Sequence, residues 1–227
     1  MIGFGCVISS EDEFRRYALP GIERVAAPED EVVVLRGRDC IYKAYNDILA
    51  QLSAHSELEA VVLIHQDVEI IDDGFRAKVL EAVGQPRAGV VGVIGGVGMK
   101  SMAWWEGDLA IGSVRWEWLL GDEAPRRELH DEEEFQLHAI GRSGDVDSVD
   151  GLILILSPIA ARTLRFDESL GPAFHGYDAD ICFTARHAGL RVIVAPIDVI
   201  HHHGIQAMTE RRDWVEAQVK FARKWGL

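Results

Sequence analysis

The sequence predicts an α/β fold, with a mainly parallel central sheet and helices on both faces. Three observations carry this. Apolar, β-branched runs without polar alternation occur at 61–64 and 89–94, as expected of central strands covered on both sides. Segments of helical spacing alternate with such runs. Glycine punctuates the junctions, at Gly37, Gly84 and Gly189, and strands and helices in that order build a parallel sheet with crossover helices.

Taken in order, residues 2–9 read as a first strand ending in Ser9-Ser10, and 31–35 as a second, stopped by Arg36-Gly37. Residues 39–52 carry Ile41, Ala44, Tyr45, Ile48, Leu49 and Leu52 at helical spacing, with Asp39 as the expected N-cap. After the buried strand at 61–64, residues 74–83 read as a helix ended by Gly84, and 89–94 as another strand. From 95 to about 148 the regularity fails. That segment holds Trp104, Trp105, Trp116, Trp118 and the acidic run 131–134. A long irregular stretch in a compact domain is a functional loop or a disordered one, and four tryptophans argue for a surface that packs on something. Beyond it come a strand at 152–156, a helix at about 177–188 closed by Gly189, a strand at 190–195 and an amphipathic helix at 210–225 with Thr209 as cap. Without repeats, linker or low-complexity segments, 1–227 reads as a single domain.

A formal net charge of -14 argues against sequence-independent nucleic-acid binding, which needs a basic face. Cys6, Cys40 and Cys182 form no CxxC pair, so reduced thiols in a cytoplasmic protein are expected. Residues 1–10 lack the basic and long apolar regions of a signal peptide. The longest apolar run, 151–156, falls far short of the roughly 20 residues of a membrane span.

Ligands of such sheets collect beyond the carboxyl ends of the strands. Ser9-Ser10 and His65-Gln66-Asp67 fall at such ends. Asp67 and Glu69 occupy alternate positions after a buried strand, where two carboxylates suit a hard divalent cation shared with substrate phosphates, or simply cap a turn. Asp178 and Asp180 open a helix, where aspartate is favoured by the orphan N–H groups. A carboxylate there can also take a proton from a bound hydroxyl. The reading gives Asp180 the structural role and Asp178 the chemical one. In His201-His202-His203, strand alternation aims His201 and His203 to one side, as ligands for a metal such as Mn, Zn or Co. Gly92, Gly95, Gly96 and Gly98 are spaced GxxGGxG rather than GxGxxG, which favours tight turns over a nucleotide cradle.

With these motifs in this order, most of the chain resembles the nucleotide-sugar glycosyltransferases of the GT-A fold, family 2-like group. His65-Gln66-Asp67 stands at that group's metal-binding DxD motif, Asp150-Gly151 at its "DG", and Tyr177-Asp178 at the acidic pair that opens a helix. Arg186, Gly189, Pro196 and His201 complete the pattern. The chain departs from it at His65, where the first aspartate is expected, and at Tyr177, where a glutamate is expected.

The resemblance implies a Rossmann-like GT-A domain that transfers a sugar, with inversion, from a nucleotide-diphosphate sugar to a saccharide or other hydroxyl acceptor. It implies a divalent metal, Mn2+ or Mg2+, on Asp67, Glu69, His201 and His203, and Asp178 as general base. The donor would meet Ser9, Asp39, Lys43, Asn46, Gln66 and Asp67; the acceptor would meet Trp104, Trp105, Asp150, Gly151, His175 and Tyr177. Three other readings compete. A nucleotidyltransferase would want a Gly- and Lys/Arg-rich phosphate loop after the first strand, where Glu11-Asp12-Glu13 stands instead. The others are an inactive binding protein on the same scaffold, and a metal-storage or sensing module built on the histidine triplet.

Overall fold

The computed structural model describes residues 1–116, 141–172, 174–202 and 211–227. Its strands are β1 (Ile2–Ile8), β2 (Glu31–Arg36), β3 (Ala60–Ile64), β4 (Val68–Ile70), β5 (Ala88–Gly92), β6 (Ile94–Val97), β7 (Leu109–Gly112), β8 (Arg115–Trp116), β9 (Gly144–Asp145), β10 (Ser148–Val149), β11 (Ile153–Leu156), β12 (Arg191–Val194) and β13 (Val199–His201). The α-helices are α1 (Glu11–Glu13), α2 (Leu19–Val25), α3 (Ile41–Leu52), α4 (Phe75–Val83), α5 (Pro158–Thr163), α6 (Tyr177–His187) and α7 (Arg211–Trp225). A π-helical turn, Phe14–Ala18, joins α1 to α2.

The main sheet has seven strands in the order β2-β1-β3-β11-β5-β12-β9. β2, β1, β3, β5 and β12 share one direction; β11 and β9 oppose it. The sheet is therefore mostly parallel, with one antiparallel strand inserted at its centre.

Alternation along the central strands sorts the core into two layers. Val62 and Ile64 of β3, with Ile153 and Ile155 of β11, pack with Ile22 of α2 and with Phe75 and Val79 of α4. Val61, Leu63, Leu154 and Leu156 face the other way, onto Ile48 and Leu49 of α3, Ala160 of α5 and Ile181 of α6. All eight strand residues are fully buried. β1 shows why α3 lies so close: its second face is Gly3 and Gly5, and a Cβ on Gly5 would stand 2.5 Å from Ile48 Cγ2. Truncating Ile48, which fills that contact, costs about 2–5 kcal/mol by the usual core rule.

Several local expectations shift. Cys40, not Asp39, precedes α3, and Asp39 sits exposed in a bend. The described part of the irregular segment is ordered into short strands. β6 pairs with β7 and β10 in one three-stranded sheet, and β13 pairs with β4 and β8 in another. Two-residue strands such as β8 and β10 are too short to show a period. The acidic run, Trp118, His203 and Thr209 lie outside the described residues. Among the described residues, no helix is long and apolar enough to cross a membrane, and the three cysteines form no disulfide.

Candidate active site

The chain leaves β3 in a tight turn, closed by the Val68 N–H on the His65 carbonyl at 3.3 Å. β13 runs antiparallel to β4 with His201 opposite Val68, and the His202 N–H donates to the Asp67 carbonyl at 2.9 Å. This brings His201 to Asp67, Nε2 to Oδ2 at 3.3 Å. His65, Asp67 and His201 then each offer a ligand atom within 4.8 Å of the others. Burial alone would raise the Asp67 carboxyl, but the His201 hydrogen bond and the two imidazoles hold it below its ordinary value. Burial pushes His65 below the usual histidine range, with the neighbouring Asp67 opposing.

A second group forms on the loop Asp150-Gly151-Leu152 and the start of α6. Gly176, at φ +82°, turns the chain into the helix. Asp178 accepts hydrogen bonds from the Gly151 N–H at 3.0 Å and the Ala179 N–H at 2.9 Å. Its carboxyl is pushed up to about 7, by burial first and then by the charge of Asp150. Asp150 is held by the Trp104 indole N–H at 2.7 Å and the Leu152 N–H at 2.9 Å. The Tyr177 hydroxyl donates to the Gly151 carbonyl at 3.2 Å and makes a short hydrogen bond with His65 Nε2. A Cβ on Gly151 would fall 2.3 Å from that hydroxyl, so the site needs glycine there. The two groups are thus one continuous site, joined through Tyr177 and His65.

Other residues singled out in the sequence take different places. Glu69 stays out of the three-residue cluster: its carboxylate meets His202 Nε2 at 3.0 Å and Arg24 at 3.6 Å. Asp67 lies in a turn and Glu69 in a strand, so strand alternation does not relate them. Gln66 spends its amide on protein. Its Oε1 accepts from the Ser9 and Ser10 N–H groups at 2.7 and 3.0 Å, and its Nε2 donates to Glu13 and Ser9. Asn46 is equally occupied, bonding both the N–H and the carbonyl of Phe166 at 2.9 Å. Lys43 is exposed on α3. His175 gives its carbonyl to the Tyr42 hydroxyl at 2.8 Å. Trp104 is only 4% exposed and serves Asp150, so it presents no face to an acceptor. Trp105 stands edge-on to it at 5.8 Å, 38% exposed.

Sequence reasoning gave no role to two neighbours of the site. Phe174 is 51% exposed, with its ring 5.6 Å from His65 and 5.9 Å from Tyr177. An aromatic in the segment Gly171-Pro172-Ala173-Phe174-His175-Gly176, with no helix or strand period to bury it, was the available signal. Trp116 packs its ring 4.9 Å from that of His201.

A divalent cation fits this donor set. Two imidazoles and a carboxylate converge, with His201 Nε2 on the Asp67 side, a donor set that suits a divalent transition-metal ion.

Comparison with known proteins agrees with the fold. The streptomycin biosynthesis protein StrF of Streptomyces griseus is 29% identical over 227 residues, covering 99% of this chain and 75% of that protein. The crystal structure of GalNAc-T7 with UDP, GalNAc and Mn2+ superposes with a TM-score of 0.63 at 11% identity. That match covers 98% of this chain and 47% of GalNAc-T7, about half its length, and shows a shared GT-A fold. The family described as "Glycosyltransferase like family" matches residues 6–224, and with nearly the whole chain inside that match, the protein belongs to the glycosyltransferase-like family.

Proposed function

We propose that the protein transfers a sugar from a nucleotide-diphosphate sugar to an acceptor hydroxyl with inversion at the anomeric carbon, Asp178 acting as general base. One observation carries the reading. At the start of α6, Asp178 is fixed by two backbone N–H groups and its carboxyl is pushed up to about 7. A base poised near the working pH is the most effective one. It sits one residue from Tyr177, which touches His65 of the cation cluster.

In this reading the acceptor oxygen attacks the anomeric carbon from the face opposite the diphosphate. Its proton passes to the Asp178 carboxylate. The carbon–oxygen bond to the diphosphate breaks, and the electron pair leaves with the nucleotide. His65, Asp67 and His201 would hold the cation. When bound, the cation supplies Lewis-acid neutralisation of the departing diphosphate. Two imidazoles in the donor set favour Mn2+ over Mg2+, which prefers oxygen ligands. Asp150, locked by Trp104, keeps negative charge beside Asp178 and so sustains its basicity. Phe174 offers an exposed aromatic face for a sugar, the part the sequence assigned to Trp104 and Trp105. The unpaired cysteines suit work in the cytoplasm.

The test is Asp178→Asn. Turnover of donor and acceptor should fall by about 10²–10⁴-fold, the usual worth of a positioned base. Nucleotide binding with Mn2+, read by thermal shift, should stay near wild type. Near-normal turnover in the variant would sink the assignment.

A further inference from the structure

The two positions at which the chain departs from the glycosyltransferase pattern, His65 and Tyr177, are 112 residues apart in sequence and in direct contact in the fold. We infer that Tyr177 is a positioning residue for the cation site: its hydroxyl fixes the tautomer of His65 so that Nδ1 is left as the ligand atom. The inference rests on the cation reading above and deepens it.

Proton bookkeeping carries the argument. A tyrosine hydroxyl has one proton, and a carbonyl oxygen can only accept. Tyr177 donates its proton to the Gly151 carbonyl at 3.2 Å. The short bond to His65 Nε2 then requires the proton to come from the imidazole. Both bonds are satisfied together only when His65 carries its hydrogen on Nε2, which leaves the lone pair on Nδ1. A ring nitrogen already engaged by a hydrogen bond sets which nitrogen binds metal.

The surroundings hold Tyr177 in place, and its hydroxyl also meets that of Tyr45, which carries a proton of its own for that bond. Tyr177 is 3% exposed, with Tyr45 edge-on at 5.5 Å and Tyr42 edge-on at 6.3 Å. The missing Cβ of Gly151 makes room for the hydroxyl, as noted above. The His65 backbone N–H donates to the Leu152 carbonyl at 3.0 Å. The loop 150–152 therefore aligns His65 from two sides, through its backbone directly and through Tyr177.

The experiment uses the full chain. In the metal-free protein, ¹⁵N-histidine NMR, with the His65 signals assigned by their loss in His65→Asp, should show the Nε2–H tautomer. In Tyr177→Phe the two tautomers should mix, while circular dichroism shows a folded protein. Mn2+ affinity, read by EPR of the free ion, should weaken by about 10–100-fold in Tyr177→Phe, the usual effect of losing such a partner. In a His65→Asp background, where no tautomer needs fixing, the same change should cost less than about threefold. An Nδ1–H tautomer in wild type overturns the inference, as does an equal loss in both backgrounds. An Nε2–H tautomer in a wild type that fails to bind Mn2+ would instead overturn the cation reading, and with it the ligand role of Nδ1.

Discussion

Asp67/Glu69 and Asp178/Asp180 are both acidic pairs two residues apart, and the fold turns the two members of each pair to different partners. Asp67 joins His65 and His201, while Glu69 turns to His202 and Arg24. Asp178 faces the loop at Gly151, while Asp180, fully buried, takes Lys224 and the Trp225 indole N–H of α7. Spacing of two places side chains on one side only in extended chain. On a helix it separates them by about 200°, so Asp178 and Asp180 turn to different partners. The first pair was read as strand throughout, and the turn at 66–67 broke the alternation.

The sharpest way to break this comparison is to neutralise each member of the first pair. Asp67→Asn should weaken Mn2+ binding by roughly a hundredfold, about 2.8 kcal/mol at 1.4 kcal/mol per decade. Glu69→Gln should change it by less than about threefold, because a part-exposed ion pair such as Glu69–Arg24 is worth little. Isothermal titration with Mn2+ decides it, and comparable losses in the two variants would return Glu69 to the ligand set.

The second pair separates along a different axis, stability against turnover. Burial pushes the Asp180 carboxyl up, against the pull of Lys224. Asp180→Ala should cost about 2 kcal/mol in urea unfolding, since it strips acceptors from a charged and a neutral donor at once. Turnover per folded molecule should remain. A variant of full stability but lost turnover would show that Asp180, too, reaches the chemistry.

The same contrast explains how much the sequence revealed. Segments long enough to show a period were legible: β1, α3, β3, α4, α6 and β12 lie within a residue or two of where spacing put them. The antiparallel course of β11 was not, because an apolar run carries no direction. Residues 11–25 went unassigned. Pro20 lies in a helical segment that runs on from the π-helical turn, with Ala18 already in the αR region, and proline and glycine inside such a segment obscure its period. Gly21 lets β4 come close: a Cβ would stand 2.7 Å from the Ile70 nitrogen. In the site, strand-end and helix-start positions were legible. What was not legible was the competition for side chains, because Gln66 and Asn46 look like ligand residues until their protein partners are seen.

The smallest effect, and the one that ties Asp178 to its surroundings, is in pH. With its carboxyl at about 7, Asp178 is mostly ionised at pH 8 and mostly protonated at pH 6. Turnover should therefore fall roughly tenfold between those values if the carboxylate is the base. Stability should move in the opposite sense. A carboxyl whose folded pKa lies above its ordinary 3.8 binds its proton more tightly when folded. Its contribution is then present at low pH and lost as pH rises through about 7. Trp104→Phe releases Asp150 from its indole partner. The Asp178 carboxyl should then drop and the activity limb move to lower pH, because burial of Asp178 remains while the fixed charge beside it loosens. A limb that stays in place in Trp104→Phe would assign the shift to burial alone, and one that vanishes only in Asp178→Asn would fix its owner.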